Sequence, residues 1–171
     1  GGLWGAQNAM LCQSVLQILG VSETEIAERL RRLEPVEMRL ELKAGIRQCT
    51  LVNDFYNNDL AGLRIALQFA RQQARSGRLT LVLSDILQSG MPSMVLWGEV
   101  AKAVVAQGVS RLIGIGKDIQ AIQDLLPNGV STQFFKGTEE FLSQLDNADF
   151  HDETILLKGA RPFEFERIAR R

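Results

Sequence analysis

The sequence predicts an α/β fold built on a mostly parallel sheet with helices on both faces. Strand-like and helix-like segments alternate five times with short connections, the pattern of a parallel sheet whose crossovers are helices. Two of the strand segments, Leu79-Thr80-Leu81-Val82-Leu83 and Ile155-Leu156-Leu157, are continuous apolar runs, as strands buried on both sides read. The 171 residues are 46% hydrophobic and 23% charged, enough apolar content to bury a core and too much for a disordered chain.

The first 33 residues read as helical. Leu11, Val15, Ile18 and Leu19 share one helix face, and Gly20 is a C′ stop. Ser22 and Glu25 form a capping box. The second helix that follows stops before Pro35. Met38, Leu40 and Leu42 then alternate with Arg39, Glu41 and Lys43, a half-buried strand. Ala44-Gly45 is its turn, and Ile46–Asn53 returns as the second strand of a hairpin. The composition places a domain boundary between residues 43 and 44. From there strands at Ile46–Asn53, Leu79–Leu83, Arg111–Ile115, Ser131–Phe135 and Thr154–Leu157 are expected. They lead to helices near Asp59–Arg75, Ser93–Gln107, Ile119–Leu125, Thr138–Leu145 and Phe163–Ala169.

Several functional classes are disfavoured. Nineteen basic residues face twenty acidic ones, so there is no global electrostatic footprint for nucleic acid. No apolar run approaches the ~20 residues of a membrane helix. Two cysteines, no CxxC and a single histidine, His151, exclude a Cys/His zinc site within the chain and disfavour a Ser-His-Asp triad. No signal peptide opens the chain, which points to the cytoplasm. The absence of an initiator Met is that of a piece cut from something longer.

Ligands of such sheets bind beyond the carboxyl ends of the strands. That rule directs attention to Asp54 through Asn57, Ser84-Asp85, Gly114 through Lys117, Lys136-Gly137 and Lys158 through Arg161. Gly114-x-Gly116-Lys117 lacks both the third glycine of a dinucleotide fingerprint and the Gly-Lys-Ser/Thr of a phosphate loop, and reads as a tight turn into a helix. Asp54 suits either ribose hydroxyls or a metal, or an Asx-type cap. Lys158 and Arg161 flank a Gly-Ala pair, where Arg can grip a carboxylate or phosphate or pair with Glu164 or Glu166. Tyr56 fits binding and packing equally.

These segments resemble a known family. Asp54-x-Tyr56-Asn57 is similar to the Asp-x-Tyr-Asn motif of the Mur ligases that add D-Ala-D-Ala to the peptidoglycan precursor. Pro35-Val36-Glu37-Met38-Arg39-Leu40-Glu41, Ser84 through Gly90 and Lys158-Gly159-Ala160-Arg161 resemble further stretches of that family, in order. Asn58-Asp59-Leu60 is similar to the variant fused to alanine racemase. Gln88 and Ala160 depart from the usual Glu and Ser.

The resemblance implies that residues 1–43 are the end of a central ATP-binding domain and that residues 44–171 are a Rossmann-like C-terminal domain. It implies an ATP- and Mg²⁺-dependent ligase acting on UDP-N-acetylmuramoyl-tripeptide and D-Ala-D-Ala through an acyl phosphate. The phosphate loop and Mg²⁺ ligands belong to sequence outside this chain, so the chain alone is expected to be inactive. By the same resemblance Asn8, Arg39, Asp54, Tyr56 and Asn57 bind the nucleotide, and Lys158 and Arg161 contact the acceptor. The N-terminal and central domains, and a racemase domain, are the implied partners. A free-standing Rossmann-like nucleotide-binding domain, against which the missing GxGxxG argues, and a non-catalytic docking module are the competing classes.

Overall fold

The computed structural model describes residues 40–55, 58–145 and 149–170. Six strands form one sheet: β1 (Glu41–Ala44), β2 (Thr50–Asp54), β3 (Arg78–Ser84), β4 (Arg111–Ile115), β5 (Ser131–Phe135) and β6 (Glu153–Lys158). Their order is β1-β2-β6-β3-β4-β5. β1 is antiparallel to β2, and all other neighbours are parallel. Helices α1 (Leu60–Ala74), α2 (Ser93–Ala106), α3 (Thr138–Ser143) and α4 (Glu166–Ala169) are joined by a 3₁₀ helix at Asp118–Leu125.

Strand periodicity divides the core into two layers. Leu79, Leu81 and Leu83 of β3, Leu112 of β4 and Leu156 of β6 face α1, α2 and the 3₁₀ helix. Val82, Ile113, Ile155 and Leu157 point the other way, against α3 and α4. α1 presents Leu63, Ala66, Leu67 and Ala70 as one buried stripe, and α2 inserts Trp97, Val100 and Val104. Asp59 caps α1, accepting from the Gly62 amide at 2.6 Å.

The compact unit holding the sheet begins at Met38, and β1 pairs along its whole length with β2. Two expectations about the hairpin change. β1, the edge strand of the sheet, is exposed on both faces rather than half-buried; Leu42 remains 48% exposed. The strand expected from Ile46 starts at Thr50. Ile46–Gln48 instead forms a 3₁₀ turn, closed by Gly45 N–H to Cys49 O at 2.8 Å and Cys49 N–H to Ile46 O at 2.9 Å.

Two of the expected helices are also tighter or broken. Residues 118–125 are 3₁₀ helix, with Ile119 and Ile122 buried at the i, i+3 spacing of that geometry. The last helix is interrupted: Arg161–Phe163 forms one 3₁₀ turn, Glu164 is left-handed, and only Glu166–Ala169 is α-helical.

At the amino ends of the central strands Arg111 Nη2 meets Glu153 Oε1 at 2.7 Å, with both side chains buried. Thr80 Oγ1 donates to the same oxygen at 2.5 Å, Arg111 Nη1 donates to Asp149 O at 3.1 Å, and the guanidinium lies 4.5 Å from the Phe150 ring centroid. Breaking a buried pair strands its surviving charge at a cost of about 3–5 kcal/mol. Arg111→Met should therefore lower the unfolding free energy by about that much, and Arg111→Met with Glu153→Met should recover most of the loss. Urea unfolding of the two variants checks this, and an equal loss in both rejects it.

Candidate functional site

β6 lies between β2 and β3, but its outgoing chain leaves toward the α4 face, whereas β2 and β3 send α1 and α2 to the opposite face. The carboxyl ends of these three strands therefore flank a topological switch point, where doubly wound sheets bind ligands. The residues there are Asp54, Lys158 and Ser84.

Asp54 and Lys158 are cross-strand partners in the parallel register. Both fall on the α1 side of the sheet, and Lys158 Nζ meets Asp54 Oδ2 at 2.9 Å. Asp54 is 8% exposed and Lys158 1%. The Lys158 ammonium is tucked beneath the first turn of α1, where a Cβ on Gly62 would stand 3.5 Å from it. Lys158 is thus enclosed rather than presented to a ligand. Arg161, three residues on, is exposed in the 3₁₀ turn that follows β6. Of the other expected site residues, Asn8, Arg39, Tyr56 and Asn57 lie outside the described residues.

The Ser84 hydroxyl ties the three strand ends together. It accepts from Asn58 Nδ2 at 3.1 Å and from the Ala160 amide at 2.8 Å, and donates to Asp85 O at 2.9 Å. Asn58 Nδ2 also reaches Ser84 O and Asp85 O, each at 3.1 Å. Asn58 is 4% exposed, and its Oδ1 is a buried acceptor with no hydrogen-bond partner among the described residues. Neither Asn58 nor Ser84 stands out from residue type alone. Their link depends on β2 and β3 ending on either side of β6.

Asp85 explains the Gly114–Lys117 segment. Its Oδ2 accepts from the Lys117 amide at 3.1 Å and its Oδ1 from the Ile119 amide at 2.8 Å. The carboxylate thus occupies the amides at the start of the 3₁₀ helix, and the expected tight turn is held by the residue that follows the neighbouring strand β3. Gly116 is required there: its φ is 132°, and a Cβ would collide with the Asp85 carboxylate. Among the described residues no three His, Cys, Asp or Glu side chains group as a metal set.

Burial pushes the Asp85 carboxyl above its usual 3.8, although the Ile119, Asp118 and Lys117 amides favour the anion. The folded protein then holds this proton more tightly than the unfolded chain does. Stability drawn from Asp85 is fully present below pH 3.8 and is lost as the pH rises through the raised pKa. Asparagine does not titrate. The stability of the parent protein relative to Asp85→Asn should therefore fall as the pH climbs from about 3 to about 7. Urea unfolding across that range measures it, and a constant difference rejects desolvation as the dominant effect.

Residues 38–161 match the family described as Mur ligase, glutamate ligase domain. The UDP-N-acetylmuramoyl-tripeptide–D-alanyl-D-alanine ligase of Rickettsia prowazekii (strain Madrid E) is 28% identical over 72% of this chain and 27% of its own length. The ligase of the same name from Escherichia coli (strain K12) is 27% identical over 95% of the chain and 35% of its own. The chain therefore spans about a third of the length of these relatives. Acinetobacter baumannii MurF superposes with a TM-score of 0.60 at 22% identity, covering 95% of this chain and 36% of that one. Thermotoga maritima MurF, solved with ADP, superposes at 0.57 and 16% identity, covering 92% and 35%. With its six-stranded, mostly parallel sheet and the family match over residues 38–161, this chain belongs to the Mur ligase family through its glutamate ligase domain.

Proposed function

We propose that this chain is the C-terminal part of an ATP-dependent ligase that joins D-Ala-D-Ala to UDP-N-acetylmuramoyl-tripeptide during peptidoglycan precursor synthesis. The observation that carries this reading is the position of Asp54, a carboxylate fixed by Lys158 at the switch point of the sheet. The names of the relatives and the ADP complex of the Thermotoga protein support the substrates.

In the whole enzyme the terminal carboxylate of the tripeptide takes the γ-phosphoryl group of ATP, forming an acyl phosphate and releasing ADP. The D-Ala-D-Ala amine attacks the acyl carbon, an amide bond forms, and phosphate leaves with the C–O bond. Such a sequence needs orientation of the amine and exclusion of water from the acyl phosphate. This chain supplies orientation: Asp54 Oδ1 accepts from the ribose hydroxyls, and Lys158 holds the carboxylate in place. Arg161 grips the acceptor carboxylate. Asn8, Arg39, Tyr56 and Asn57 complete the nucleotide side.

The chain alone catalyses no ligation. Mg²⁺ would neutralise phosphate charge in the whole enzyme; the described residues of this chain offer no set to hold it. Further N-terminal and central domains, a fused alanine racemase, a cytoplasmic location and roles in cell shape and division belong to the same reading.

In the full-length protein Asp54→Ala should raise the ATP KM about 5- to 150-fold, the equivalent of losing about 1–3 kcal/mol of hydrogen bonding. Steady-state kinetics measures it, and an unchanged ATP KM rejects the ribose role. Arg161→Ala should raise the D-Ala-D-Ala KM with the ATP KM kept. A fall in ATP affinity instead would place Arg161 on the nucleotide.

A further inference from the structure

The face of the sheet away from Asp54 and Lys158 carries a pocket of about 300 Å³. It opens between the β1–β2 connection and helices α3 and α4. Its walls are apolar, with Leu51, Phe141, Phe150, Ile155 and Ile168 prominent among them. Cys49, a buried free thiol, lies in the wall.

The charged residues lining the pocket are Lys43 and Arg170, both cations. Lys43 Nζ donates to Ala169 O at 3.2 Å, a neutral partner, and among the described residues no carboxylate side chain lines the cavity. An apolar chamber with a few placed polar groups is the ordinary form of a small-molecule site. The volume is about twice the ~150 Å³ that takes up one benzene ring, so about twelve non-hydrogen atoms fit.

We propose that this pocket binds a monocarboxylate amphiphile, an alkyl or aryl chain of about ten carbons, with its tail against Phe141, Phe150 and Ile155 and its carboxylate toward Lys43 and Arg170. Apolar contact supplies the affinity and the two cations set the polarity of insertion. The site stands apart from the strand ends that carry the ligase reading and does not depend on it.

Decanoate, used below its micelle concentration, is the probe. In the full-length protein, with Cys49 followed by mass spectrometry of its peptide, saturating decanoate should slow labelling of Cys49 by a thiol reagent at least tenfold, and the Leu51→Trp protein should lose that protection. Lys43→Glu with Arg170→Glu should weaken decanoate at least tenfold and leave decanol binding unchanged. Leu51→Trp should abolish both by filling the chamber. Ile46→Trp, at the exposed rim of the same pocket, serves if Leu51→Trp fails to fold by circular dichroism. Unchanged Cys49 labelling with decanoate, equal decanoate binding by the charge-reversed protein, or full binding by a folded tryptophan variant each overturns the proposal.

Discussion

The insertion of β6 between β2 and β3 governs this domain. It brings the last strand of the sheet beside the first parallel one, and their side chains meet although Asp54 and Lys158 stand 104 positions apart in the chain. β6 carries a buried charge at each end, Glu153 at its start and Lys158 at its finish, with Thr154-Ile155-Leu156-Leu157 between. Glu153 finds Arg111 of β4, and Lys158 finds Asp54 of β2. Moving β6 along its neighbours by one residue would turn both charges to the opposite faces of the sheet. The two ion pairs thus fix register as well as position, a role for which buried charges are better suited than for net stability.

The polar groups at the two ends of the sheet are unequal in character. At the amino end, the Glu153, Thr80, Arg111 and Phe150 group is packed and joins strands to one another. At the carboxyl end, the Ser84 hydroxyl joins loops: the segments following β2, β3 and β6 all converge on it. Side chains presented from those loops inherit a common reference point. That is how three separate chain segments at this edge keep a common geometry. The Oδ1 of Asn58 is a buried acceptor within this knot, without a partner among the described residues.

Much of the layered architecture was legible in the sequence, because apolar runs and helix stripes are local signals. β4 spans Arg111–Ile115 as the pattern predicts, and α2 differs from its expected range by a single residue. What periodicity could not supply was the order of the strands. Nothing in Thr154–Leu157 says that this segment enters the centre rather than adding at the edge, since two-sided burial describes either side of β3. The role of Asp85 was illegible for the same reason: its amide partners, Lys117 and Ile119, belong to the next crossover. Among the site residues, Asp54 and Arg161 were visible as polar groups at strand ends, whereas the burial of Lys158 depends on where the first turn of α1 comes to rest.

The late arrival of β6 has a consequence for how the chain is made. Until residues 153–158 leave the ribosome, β2 and β3 have no strand between them, and each offers an unsatisfied backbone edge. The hairpin of β1 and β2 can form early from near neighbours, but its union with the rest awaits a contact of very long sequence separation, the kind that slows folding. An unfinished chain therefore carries two open edges and a half-covered apolar face, the features that draw nascent proteins into mispairing. Synthesis past Lys158, rather than the folding of any single helix, is the event that closes the domain.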